Sequence, residues 1–293
     1  MILRKGTQGN EVKQLQEFLG TSADGIFGPG TEASVKTWQS DNDLVADGIV
    51  GPATWDAMGL ATTDASEKTF KTDNGLIINR HHMKSGEYLE GPSKKEYVFL
   101  HHTAGWNNPF KTIDHWERDT RGRVATEFVL GGQKVTDSNT DYDGVMVQAF
   151  PEGGYGWHLG KNGSQHMHNH SVGLEVNNFG WIENGKTYAG SRADISQIVT
   201  LNEEFRGHKT WHRYSDAQIE SIRLWLHYIA ERDNIDIREG LPTWIKERGV
   251  KAFDWNSDAY YGKVKGLLTH TNTRKDKSDM FPQPELMDML VSL

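Results

Sequence analysis

Cysteine is absent from all 293 residues, which excludes disulfides and sulfur ligation of a metal and leaves the redox compartment open. No apolar stretch is long enough to span a membrane, and none of signal-peptide length follows Met1-Ile2-Leu3-Arg4-Lys5-Gly6. The expectation is a chain made in the cytoplasm, not inserted in a membrane, whose export would need outside help. A surplus of positive charge is missing as well. The 32 Lys and Arg stand against 40 Asp and Glu, a net charge of −8, so nothing favours a nucleic-acid partner. What is present is 36% hydrophobic residues, 10 tryptophans and 25% charged residues, the composition of an ordered globular protein of one to two domains.

Residues 1–60 carry an internal repeat. Ala23-Asp24-Gly25-Ile26-Phe27-Gly28-Pro29-Gly30-Thr31 returns as Ala46-Asp47-Gly48-Ile49-Val50-Gly51-Pro52-Ala53-Thr54. In each copy Asp-Gly supplies a tight turn, an apolar pair anchors the loop, and the threonine can cap a following helix. Val12, Leu15 and Leu19 precede the first copy at amphipathic-helix spacing, and Val35 and Trp38 repeat the one-sided pattern after it. Three short helices around a compact core are expected, either a ligand-binding module or a symmetric scaffold with no ligand. Residues 61–75 are polar, lack apolar periodicity and read as a linker.

From residue 76 to 293 the pattern is that of an α/β domain, a mixed sheet with helices on it. Tyr97-Val98-Phe99-Leu100 is a buried-strand run that ends on His101-His102-Thr103. Glu127–Leu130, Gly131-Gly132 and Gln133–Val135 read as a hairpin, and Gly144–Phe150 as another strand. Along Ser171–Asn177, Val172, Leu174 and Val176 take one face while Gly173, Glu175 and Asn177 take the other. Ser215-Asp216-Ala217-Gln218 is a capping box. Ile219, Ile222, Leu226 and Ile229 then follow at helical spacing, in a helix expected to end near Asn234 and cover one face of the sheet. Residues 178–214 and 235–262 are polar and aromatic excursions with no readable pattern.

One stretch cannot contribute by packing. His270-Thr271-Asn272-Thr273-Arg274-Lys275-Asp276-Lys277-Ser278-Asp279 has little apolar content, and its histidine and final carboxylate could hold a divalent metal from one side. A third ligand must then come from elsewhere. His101, at the rigid end of a core strand, is one source. Glu175 lies on the free face of an alternating strand, with Gly173 leaving room for a ligand. Each also has a plain reading: His101 as a buried core histidine, His270 and Asp279 as a turn or capping pair. His166, His168 and His170 alternate and could form a second metal face or a solvent-exposed rim.

Two resemblances organise these residues. Leu3, Gly6, Gly9, Val12, Leu15-Gln16, the two Asp-Gly loops, Trp38-Gln39 and Thr54-Trp55 resemble the peptidoglycan-binding module of many cell-wall hydrolases. Residues 97–281 resemble the zinc-dependent N-acetylmuramoyl-L-alanine amidase family. The motifs are Phe99-Leu100-His101-His102-Thr103-Ala104-Gly105, Trp157-His158-Leu159-Gly160, His170-Ser171-Val172-Gly173-Leu174-Glu175, His270 and Lys277-Ser278-Asp279. The resemblance implies zinc held by His101, His270 and Asp279, with Glu175 as acid/base and Lys277 on the oxyanion. Lys275 is a weaker candidate for the lysine role. It places Trp157, His158, Thr103 and His102 on the substrate side. The last loop departs from the family in having Met280-Phe281-Pro282 where Pro-Gly is common.

The implied whole is a 1–60 wall-binding module, a 61–75 linker and a 76–293 zinc amidase. It would act as a monomer on bacterial peptidoglycan. It looks like a phage endolysin released to the wall by a holin. The rivals are a non-catalytic peptidoglycan recognition protein, a zinc endopeptidase or carboxypeptidase acting on the stem peptide, and a cytoplasmic recycling amidase.

Overall fold

The computed structural model describes residues 2–42, 44–59, 68–91, 94–160 and 163–293. The chain divides into two compact units, Met1–Lys68 and Thr69–Leu293.

In the first unit, helices Asn10–Phe18, Pro29–Asp41 and Pro52–Met58 surround a core of Leu3, Val12, Leu15, Phe27, Val35, Val50, Trp55 and Met58. The repeat is held by two equivalent glutamine latches. Gln16 Nε2 donates to Asp24 Oδ1 (2.8 Å), Ile26 O (3.1 Å) and Thr31 Oγ1 (3.0 Å), and its Oε1 accepts from Gly25 N. Gln39 does the same with Asp47, Ile49, Thr54 and Gly48. A buried amide must satisfy its polar atoms, and each latch does so by tying a helix to the loop after it. The two threonines were expected as helix caps. Instead Gly28 caps the second helix without a side-chain bond, and Thr31 and Thr54 accept from the glutamines.

The expected linker, 61–75, is corrected over its second half, while residues 60–67 lie outside the described residues. Thr69–Lys71 is a strand, antiparallel to Ile77–Arg80. The polar residues between them form its turn, and Phe70 packs on the core beside Tyr228.

The second unit is built on a seven-stranded sheet in the order Thr69–Lys71, Ile77–Arg80, Met146–Gln148, Phe128–Leu130, Ser171–Val176, Tyr97–His102 and Gly266–Thr269. Its central strands are parallel, and Tyr97–His102 is buried along its whole length, which is why Tyr97–Leu100 reads as a continuous apolar run rather than an alternating one. Helix Asp216–Asp233 opens with both halves of the Ser215/Gln218 capping box and ends on Asn234 in the left-handed conformation. Its Ile219, Ile222, Trp225, Leu226 and Ile229 pack on Val98, Leu100, Phe128, Leu130, Val172, Leu174 and Val176.

The hairpin expected at Glu127–Val135 does not form; Phe128–Leu130 pairs antiparallel with Met146–Gln148 instead. Neither Gly131 nor Gly132 has positive φ. They are there for close approach, since a Cβ would lie 2.1 Å from Tyr142 O at the first and 2.6 Å from Asn177 O at the second. The excursion 178–214 is two small antiparallel pairs, Ile182–Glu183 with Lys186–Thr187 and Ile198–Phe205 with His208–His212. Residues 235–262 hold helices Leu241–Arg248 and Ser257–Tyr260.

Candidate metal centre

Three parallel strands carry the site. Tyr97–His102 carries His101 one residue before its end, Ser171–Val176 places Glu175 in register with it, and Gly266–Thr269 runs directly into His270. His270 opens a short helix, His270–Thr273, fixed by a reciprocal Thr269/Asn272 cap. Asn272 also donates to Ala252 O and Asp254 O, so the unpatterned 235–262 segment holds this turn from behind.

His101, His270 and Asp279 are all buried and offer ligand atoms within 4.8 Å of one another. Asp279 Oδ2 lies 3.0 Å from His270 Nδ1 and 3.4 Å from His101 Nδ1, with the two imidazole centroids 4.6 Å apart. Ligands at about 2.1 Å from a tetrahedral zinc stand about 3.4 Å from each other, so this donor set fits such an ion with little rearrangement. Protonation states agree. Burial, then the neighbouring His270, lowers the His101 pKa to about 4 against the pull of Asp279, leaving a neutral imidazole. Burial alone would raise Asp279, but the two histidines outweigh it and hold the carboxyl well below its ordinary range.

Glu175 is half-buried beside this cluster. Burial first, and the Asp279 carboxylate second, push its pKa up to about 8, while the Lys277 ammonium draws it down. Lys277 is itself half-buried, and among the described residues no carboxylate forms an ion pair with it. Lys275 is exposed, with its Nζ 4.2 Å over the Trp255 ring.

The excursion 178–214 clamps the ligand loop at both ends. Phe281 stacks between Trp211 (4.6 Å) and Tyr214 (4.5 Å), and Gln283 exchanges two hydrogen bonds with the Tyr214 backbone. Arg206 donates to Thr271 O and Lys275 O. The departure at Met280-Phe281-Pro282 is thus an aromatic anchor for Asp279, supplied from an excursion the sequence left unread.

Of the four residues expected on the substrate side, Trp157 is exposed. Thr103 is half-buried, its hydroxyl accepting from Gly105 N and Asn178 N at 3.2 Å. His102 and His158 are both buried. Strand alternation turns His102 away from His101, and it is buried with Nδ1 2.7 Å from Tyr214 Oη. His158 is buried too, with Nδ1 2.9 Å from His101 Nε2 and Nε2 2.7 Å from Ser171 Oγ. Both of its nitrogens have protein partners. Ser171 is a partner that the sequence reading misses. Its signal was the shared strand face of Ser171, Gly173 and Glu175. The histidine series 166–170 falls largely on helix Gln165–Asn169, which turns His168 inward and stacks His166 on His170 at 4.0 Å. It forms no metal cluster among the described residues.

Residues 91–250 match the family described as N-acetylmuramoyl-L-alanine amidase. The chain belongs to the N-acetylmuramoyl-L-alanine amidase family. The match ends before His270, so only the geometry brings His270 and Asp279 to His101. Residues 8–58 match the family described as a peptidoglycan binding domain. Among curated relatives, a zinc D-Ala-D-Ala carboxypeptidase of Streptomyces albus G is 48% identical over 61 residues, 18% of this chain and 24% of that protein. A probable N-acetylmuramoyl-L-alanine amidase of Bacillus licheniformis is 32% identical over 96 residues, 29% of this chain and 27% of that one. The chain therefore spans about a quarter of each of these two relatives. A solved N-acetylmuramoyl-L-alanine amidase from Clostridium intestinale is similar over 73% of this chain and 96% of its own, at 15% identity and TM-score 0.37.

Proposed function

We propose that the amidase-family unit hydrolyses the amide between the lactyl group of N-acetylmuramic acid and the L-alanine of the stem peptide, using zinc. The observation that carries this is the register of Glu175 with His101 beside the His101–His270–Asp279 cluster. These three residues would hold the ion with one negative charge between them. Zinc in a three-ligand site of this kind supplies Lewis acidity and lowers the pKa of water to about 7.

Glu175 accepts a proton from the attacking water and delivers it to the departing alanine amine. A carboxyl drawn upward by burial and downward by Lys277 is suited to both halves of that exchange. Lys277 stabilises the negative oxygen that develops on the scissile carbonyl. Residues 1–60 retain the chain on peptidoglycan and raise the local substrate concentration of the amidase unit. Pairing of a wall-binding module with an amidase unit also supports the endolysin reading, with holin-mediated release.

End-group labelling of digested peptidoglycan tests the bond assignment. Alanine must appear as the new amino terminus; a different new terminus rejects it.

A further inference from the structure

We infer that His158, seated by Ser171 and Gly173, is a positioning residue that fixes which nitrogen of His101 carries the proton and so presents His101 Nδ1 as a lone pair for the metal. The inference rests on the metal-amidase reading above and gives the Trp-His-Leu-Gly segment a role behind the ligand rather than beside the substrate.

Three hydrogen-bond links run from His168 to His101. Ser171 Oγ donates to His168 O at 3.4 Å, an oxygen that can only accept. Ser171 Oγ then accepts from His158 Nε2–H at 2.7 Å. A neutral imidazole has one donor and one acceptor nitrogen, so His158 Nδ1 accepts from His101 Nε2–H at 2.9 Å. His101 Nδ1 is left without a proton, facing Asp279 Oδ2 and His270. Run in the opposite sense, the same links put the proton on His101 Nδ1, where it would bond to Asp279 and block ligation. The relay has two states, and a metal selects the first.

Metal-bound histidines usually donate their second N–H to a carboxylate, a backbone carbonyl or water. Here a neutral histidine and a serine do this, orienting the ring without adding negative charge to the site. Strand alternation explains the spacing: Ser171, Gly173 and Glu175 share one face. Ser171 receives His158, and Glu175 reaches the reacting group. Between them, a Cβ at Gly173 would sit 3.2 Å from His158 Nδ1 and 2.8 Å from Thr126 Cγ2. Thr126 is held in place by its hydroxyl, which donates to Phe128 O.

The test is zinc affinity, by competition with a chromophoric chelator, for wild type, His158→Leu, His158→Gln and Ser171→Ala. Alongside it, proton–nitrogen correlation spectra of the imidazoles are recorded on the zinc-loaded protein. We expect His158→Leu to bind zinc about 10- to 100-fold more weakly. His158→Gln, whose amide can accept from His101 and donate to Ser171, should recover part of that loss. Ser171→Ala should fall between wild type and His158→Leu, and His101 should appear as the Nε2–H tautomer. Equal affinities in folded variants, or a zinc-loaded His101 carrying its proton on Nδ1, would overturn the relay. A wild-type chain that takes up no zinc rejects the metal reading and the relay together, whereas normal wild-type binding with unaffected variants rejects the relay alone. Should His158→Leu not fold, the glutamine variant and the wild-type spectrum decide.

Discussion

Glu175 and His101 face each other in register across the parallel pair Ser171–Val176 and Tyr97–His102. Their spacing is set by the hydrogen-bonded ladder, about 4.8 Å from strand to strand, rather than by a loop. A site built on strands keeps its geometry when one side chain is removed.

That separation makes the role of Glu175 testable apart from the metal. Glu175→Ala should retain zinc, measured by elemental analysis, and lose about 100- to 10,000-fold in hydrolysis rate, the range for a missing general acid–base group. Full activity in this variant would reject Glu175 as the base.

The pH profile should report the tension at Glu175. Its carboxyl must be ionised to accept a proton, and Lys277 favours the ionised form. Removing that positive charge raises the Glu175 pKa, so in Lys277→Gln the acidic limb of kcat/KM should move to higher pH. An unmoved limb, or a shift to lower pH, contradicts the assignment. The variant should also lower kcat, because the developing oxyanion loses a charged partner.

Asp279 depends on the aromatic anchor two residues beyond it. Phe281→Ala empties the space between Trp211 and Tyr214 and should cost about 3–5 kcal/mol, read as a lower Tm of the amidase unit. Zinc affinity should weaken in the same variant. Phe281→Leu, which keeps most of the volume, should lose less of both. Unchanged stability in Phe281→Ala would show that the stack contributes little.

In the first unit, Gln16→Ala and Gln39→Ala should destabilise to a similar extent. Each strands the same set of loop groups, at about 1–3 kcal/mol for each buried group left unpaired. Hydrogen exchange of peptides from residues 1–59 measures this in the intact chain. A large difference between the two variants would contradict the equivalence of the latches.

What the sequence made legible was local. Strand alternation placed Glu175 on the free face, and the Ser215/Gln218 box started its helix where expected, because both depend on neighbours in the chain. The Gly131-Gly132 pair misled because glycine marks tight turns and close approaches alike, and only the surrounding Tyr142 and Asn177 decide between them. His158 stood beside an exposed tryptophan in sequence. Its partners, His101 and Ser171, come from two strands distant in sequence, and no spacing reveals a tautomer relay. The 178–214 excursion stayed unread because two of its strands are only two residues long, and its contribution comes from Arg206, Trp211 and Tyr214 contacts with a distant loop.

Digestion of purified peptidoglycan with and without a zinc chelator, with the products identified by mass spectrometry, tests both the bond cleaved and the need for metal. Free stem peptides beginning with L-alanine and glycans ending in intact muramic acid should appear, both abolished by chelation and restored by added zinc. Cleavage within the stem peptide, cleavage indifferent to chelation, or tight wall binding without cleavage would each contradict it.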